Sequence, residues 1–245
     1  MPDPDLAQRA ASAEPELRTP TWGLGDAAVG WLLSLVGALI GLSVVLAITG
    51  DDADDLSLGW ANVAQIGLWV PLVGVTLWAA WTKGNGPVRD FGLRVQGWDV
   101  LGVGAGVALQ FFVLPLIYLP IFWLTNTNTD DLSEVAKDLT DRADSGFGIA
   151  MLVILTGIGA PIVEEIFYRG LLLRSLERRF GETTAIVGSG VFFGAIHFQP
   201  LGFPGLAVFG MVLALLTVKT GRLGPAIAAH MAFNMITVIS LLVQN

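Results

Sequence analysis

The chain alternates long apolar runs with short polar stretches. A helix needs roughly 20 apolar residues to cross a bilayer. By that measure the runs predict helices at about 27–49, 59–81, 98–124, 147–170, 184–199, 203–219 and 224–243. The third carries Pro115 and Pro120, which predict a kink or a tilt. Trp22, Trp60, Trp81, Trp98 and Trp123 fall near predicted ends, where an aromatic belt belongs. The fold class that follows is all-α: a polytopic transmembrane bundle of about seven spans.

Composition agrees. Of 245 residues, 53% are hydrophobic and 14% charged, against about 25% charged in soluble domains. The expected setting is therefore a multi-pass place in the cell membrane, with the lipid bilayer as a constant partner. Residues 1–21 are polar and mixed in charge and read as a disordered tail, leaving 22–245 as the membrane domain. The chain has no cysteine, which excludes disulfides, thiolate metal sites and a cysteine nucleophile. A net charge of −8 argues against nucleic acid as a partner. Of the 13 Lys and Arg residues, eleven fall in the tail and the second, fourth and sixth loops. Only Lys137 and Arg142 fall on the opposite side. The positive-inside rule then places the N-terminus in the cytoplasm.

Against this apolar background the ionisable residues stand out. The chain has only two histidines, His197 at the end of VFFGAIH and His230 at the start of HMAFN. A third run contains Glu164, Glu165 and Arg169. Ionisable groups inside membrane segments are costly and mark functional sites by default. Glu165 lies 16 residues before the turn at Gly181, and His197 lies 16 after it. In a helical hairpin those positions share a height, about 24 Å from the turn. His230 lies five residues beyond Pro225 in the last run, with Asn234 one turn later on the same face. Both routes lead to the cytoplasmic leaflet. After His197 the chain reads FQPLGFPG, whose prolines and glycines break the helix and suit a water-filled pocket.

Glu165 and Arg169 are four apart and can pair on one helix face, with Glu164 turned about 100° away. Each feature has a structural alternative. The acids and Arg169 could form an interfacial salt-bridge cluster, His197 could be a core histidine, and His230 with Asn234 could bond neighbouring helices. Dismissing the whole set requires three such coincidences at one depth. Together the residues supply what peptide hydrolysis requires. A carboxylate or imidazole can act as general base on water, and an amide or second imidazole can stabilise the oxyanion. Glutamate and histidine equally suit a divalent metal such as zinc, with Glu164, His197 and His230 as candidate ligands. The H-E-x-x-H pattern is absent, so such a site would draw on different helices. Buried acids and histidines could also serve a proton-coupled transporter, although no inverted repeat supports that reading. A non-catalytic membrane scaffold or immunity protein is a third possibility.

EEIFYRGLLL, FGAIH and HMAFN resemble the EExxxR, FxxxH and HxxxN motifs of the CPBP family of intramembrane proteases. That family includes CAAX prenyl endopeptidases and bacteriocin-processing or immunity proteins. The likeness covers about 150–240, within a motif-bearing core at about 147–243, and DFGLR at 90–94 resembles a family loop. The resemblance implies a metal-dependent endopeptidase acting on a membrane-associated or lipidated protein or peptide. It implies that Glu164 and His197 activate water, that His230 and Asn234 form the oxyanion site, and that Glu165 and Arg169 hold the acids in place.

Overall fold

A computed structural model of the chain describes residues 17–143 and 145–244. Most of the predicted tail, residues 1–16, lies outside them. The described residues form helices and no strand: α1 (Leu24–Thr49), α2 (Leu58–Lys83), α3 (Gly97–Thr125), α4 (Thr129–Asp141), α5 (Gly146–Phe180), α6 (Glu182–Ala195), α7 (Phe203–Thr220) and α8 (Gly224–Gln244). Six of these, α1, α2, α3, α5, α7 and α8, are long and apolar enough to cross a membrane.

The expected seventh span, 184–199, is corrected. It becomes α6, whose 14 residues rise only about 21 Å against a hydrocarbon core of about 30 Å. The helix stops at Ala195 because the following FQPLGFPG segment turns the chain, with Phe198 at φ 52°. In contrast, α5 runs ten residues past its predicted end. Its last turns carry Arg174, Arg178 and Arg179 beyond the apolar run. The acidic stretch near 130 is also a helix, α4, capped by the Asn128 side chain, which accepts from Asp130 N at 2.6 Å.

Lipid tails are as apolar as leucine, so small residues that let helices approach closely do much of the packing work. Three pairs of glycines spaced four apart serve this purpose. Gly37 and Gly41 of α1 lie against α2, and a Cβ on Gly41 would stand 2.6 Å from the Ala64 carbonyl oxygen. Gly102 and Gly106 of α3 lie against the Pro225 and Ala229 carbonyls of α8. Gly190 and Gly194 of α6 lie against α7, where a Cβ on Gly194 would stand 2.8 Å from Ala207 N. Bulky residues such as Leu39, Val70, Phe112 and Leu116 face outward, as a lipid-facing surface requires.

Four of the five tryptophans assigned to an aromatic belt, Trp60, Trp81, Trp98 and Trp123, are exposed. Trp22 is not: it is 2% exposed. Its indole N–H donates to Asp90 Oδ2 at 2.9 Å, and the Arg178 guanidinium stacks on its ring at 4.5 Å. Its polar edge and its cationic neighbour are both satisfied inside the protein, so Trp22 anchors a loop rather than a headgroup.

Candidate active site

The hairpin of α5 and α6 has the register that its sequence predicts. Gly181, at φ 82°, makes the turn. Arg169 lies twelve residues before it and Phe193 twelve after, and the Arg169 guanidinium sits 4.5 Å from the Phe193 ring centroid. Arg169 falls in a π-helical turn of α5 (Ile166–Leu172), a widened turn of a kind frequent at functional sites.

Glu165 and Arg169 are both fully buried and pair at 3.0 Å. The same carboxylate oxygen, Oε1, accepts from Nδ1 of His230 at 2.8 Å. Arg169 uses its other terminal nitrogen, Nη2, to donate to the Gly210 carbonyl at 3.0 Å. One buried carboxylate thus ties α5 to α8 through His230, and one buried guanidinium ties α5 to α7. An unpaired charge at this depth would be strongly destabilising, and the mutual pairing offsets that cost.

Glu164 differs from its neighbour in every respect that bears on chemistry. Its side chain keeps 20% of its exposure, and its ion-pair-range neighbour is the ionisable His230, whose Nε2 lies 3.9 Å from Oε2. That separation is beyond a hydrogen bond. Glu165 is consumed by structure, and Glu164 is left with a free carboxylate beside an imidazole.

Both imidazoles are fixed through the same nitrogen. His197 Nδ1 lies 2.6 Å from the Phe193 carbonyl. A carbonyl only accepts, so Nδ1 carries a proton, and in the neutral imidazole Nε2 keeps a lone pair. His230 Nδ1 donates in the same way to Glu165, which turns Nε2 toward Glu164. Aromatic rings pack around the two. Phe193 stands 4.7 Å from the His197 ring and 5.8 Å from that of His230, and Phe209 meets His230 edge-on at 5.0 Å.

Asn234 Nδ2 donates to the Thr156 carbonyl at 2.9 Å. The reason lies in the local structure of α5. Residues Leu155–Gly159 form a π turn in which the Ala160 N–H bonds Leu155 O instead of Thr156 O. The next residue, Pro161, has no N–H to give. The Thr156 carbonyl is therefore left over, and Asn234 fills the gap. Sequence reasoning missed Thr156 and Gly210, because both act through backbone carbonyls. Pro161 is the one residue whose identity signals the first of them.

The donor set of Glu164, His197 and His230 is chemically suited to a divalent metal. Among the described residues no three His, Asp or Glu side chains gather closely enough to hold an ion. The structure brings Glu164, Glu165, Arg169 and His230 into direct association. His197 shares the Phe193 ring with His230, and Asn234 is held by α5 one turn further along α8.

Residues 146–236 match the family model described as Type II CAAX prenyl endopeptidase Rce1-like. Over 91 residues the chain is 29% identical to a curated relative named "Putative membrane peptidase YdiL" from Bacillus subtilis (strain 168). That alignment covers 37% of this chain and 37% of the relative's own length. No solved structure matches the chain. The matched residues begin with α5 and end within α8, and so contain all six site residues. The resemblance of the three motifs to the CPBP-type endopeptidases is thus borne out over residues 146–236.

Proposed function

We propose that the protein is an intramembrane endopeptidase of the cytoplasmic membrane. It hydrolyses a peptide bond of a membrane-associated, lipid-modified protein or peptide near the cytosolic face. The observation that carries this reading is the division of labour between adjacent acids. Glu165 is committed to Arg169 and His230, while Glu164 is partly exposed, lacks a salt-bridge partner within hydrogen-bond range and lies beside an oriented imidazole.

In the proposed reaction the Glu164 carboxylate takes a proton from water as the water oxygen bonds to the peptide carbonyl carbon. The carbonyl oxygen becomes an oxyanion. It receives a hydrogen bond from His230 Nε2 when that nitrogen is protonated, and from the second N–H of Asn234, whose first is held by Thr156. Glu164 then passes its proton to the departing amide nitrogen as the C–N bond breaks. The products are a carboxylic acid and an amine, and the carboxylate is regenerated. His197 Nε2, with its lone pair in the neutral imidazole, accepts a hydrogen bond from the second O–H of the water and orients it, and that hydrogen stays on the oxygen. Arg169 and Glu165 hold His230 and take no part in proton transfer. No step passes through a metal.

The test is cleavage of C-terminally lipidated reporter peptides by purified wild type, Glu164→Ala and His197→Ala. Cleavage by wild type and its loss in both variants supports the proposal, and equal cleavage by all three would sink it. A chelator arm on the wild type reports separately on any metal requirement.

A further inference from the structure

A second polar feature lies at the Arg-rich end of the bundle. A cavity of about 300 Å³ opens between residues 20–22, the short helix Pro87–Asp90 and the last turns of α5. Arg89, Arg174 and Arg178 line it, together with two acids, Asp90 and Glu177. Both acids are already engaged. Asp90 Oδ2 accepts from Trp22 Nε1 and from Asn85 N, each at 2.9 Å, and Glu177 pairs with Arg174 at 2.9 Å.

The other two guanidinium groups meet no carboxylate. Arg178 donates to the Pro20 and Trp22 carbonyls at 2.7 and 2.9 Å and stacks on the Trp22 ring. Arg89 is exposed, and its side chain has no hydrogen-bond or ion-pair partner among the described residues. Arg174 Nε is a further buried donor with nothing to bond. The cavity therefore concentrates positive charge and unused donors in one place. Arg174 lies ten residues beyond Glu164 along α5, about 15 Å by helix rise, and none of the candidate site residues lines the cavity, so it is not part of the candidate active site.

We infer that this cavity is an anion site that takes a phosphate group, with Arg89 as its free ligand and Arg174 and Arg178 as its walls. Guanidinium forks match phosphate oxygens in pairs. Basic pockets between transmembrane helices on the cytosolic side are suited to anionic headgroups. The cavity lies by the arginine-bearing end of α5, beyond its apolar run, where a spanning helix would meet the headgroups. A bound phosphate would tie the Arg18–Trp22 segment, the short helix Pro87–Asp90 and the end of α5 together.

The test uses the full-length protein in nonionic detergent, with binding followed by native mass spectrometry and thermal unfolding. Phosphatidylglycerol, phosphatidylcholine and inorganic phosphate serve as probes. Arg89→Gln should weaken phosphatidylglycerol binding about tenfold, the loss of one charge-assisted contact. Arg94→Gln removes another exposed arginine outside the cavity and should leave binding unchanged. Phosphatidylglycerol binding well above inorganic phosphate assigns the site to a lipid headgroup, and equal binding assigns it to free phosphate. Either supports the anion site, provided that Arg89→Gln lowers it. Equal binding by wild type and Arg89→Gln, or an equal loss in Arg94→Gln, overturns it.

Discussion

The hairpins α1–α2 and α6–α7 are built with the same device and put it to different uses. Each brings its helices into backbone contact through a pair of glycines four residues apart, Gly37 with Gly41 and Gly190 with Gly194. In the first hairpin the approach yields close apolar packing. Among the described residues its one ion pair between the two helices, Lys83 with Asp26, lies at the polar rim. In the second, Gly210 packs on Gly190 and presents its carbonyl to the buried Arg169. Phe193 and Phe209 from the same hairpin flank His230. Glycine spacing alone therefore does not mark a site. What distinguishes the second hairpin is the buried guanidinium that needs a backbone acceptor.

Breaking the comparison at its deepest point should have the largest effect. Arg169→Ala leaves Glu165 buried without its counter-charge, which should cost about 3–5 kcal/mol, read as a large drop in thermal midpoint in detergent. Lys83→Ala, which removes the rim pair of the first hairpin, should cost less than about 1 kcal/mol. Equal losses would erase the distinction between the two hairpins.

Overpacking the two crossings is the next test. Gly37→Val and Gly190→Val should each destabilise by about 1–3 kcal/mol. Only Gly190→Val should also lower cleavage per folded molecule, because it displaces the Gly210 carbonyl from Arg169. A matching loss of cleavage in Gly37→Val would contradict that assignment. A smaller effect is expected at the tie between α8 and α5. Asn234→Ala should cost about 1 kcal/mol by leaving the Thr156 carbonyl unpaired. Adding Pro161→Ala restores an N–H to the helix and should recover part of that loss, and strict additivity in the double-mutant cycle would refute the coupling. The smallest effect, under about 1 kcal/mol, is expected for Lys219→Ala, which breaks an exposed pair with Glu182.

The same contrast shows what could be read from the chain. The long spans were legible because length and apolarity suffice to define them. The pairing of Glu165 with Arg169 was legible because both residues sit on one helix at a spacing that fixes their geometry. The register of α5 against α6 followed from counting about Gly181. The break after α6 was legible in FQPLGFPG, but the apolar run continues through Ile196, and only the backbone places the last helical residue at Ala195. The role of Glu165 as the acceptor for His230 was not legible, since that depends on how closely α8 approaches α5. Trp22 carried the same signal as the four exposed tryptophans and was separated from them only by Asp90 and Arg178, both remote in sequence.

The central claim is that adjacent acids have different tasks, and one paired measurement tests it directly. Glu164→Gln and Glu165→Gln are compared for thermal midpoint and for cleavage of a lipidated reporter. Glu164→Gln should unfold like wild type while losing at least about a hundredfold in cleavage, the scale of general-base catalysis. Glu165→Gln should lose stability first, because its carboxylate holds Arg169 and His230. A Glu164→Gln protein that cleaves at the wild-type rate would contradict the account.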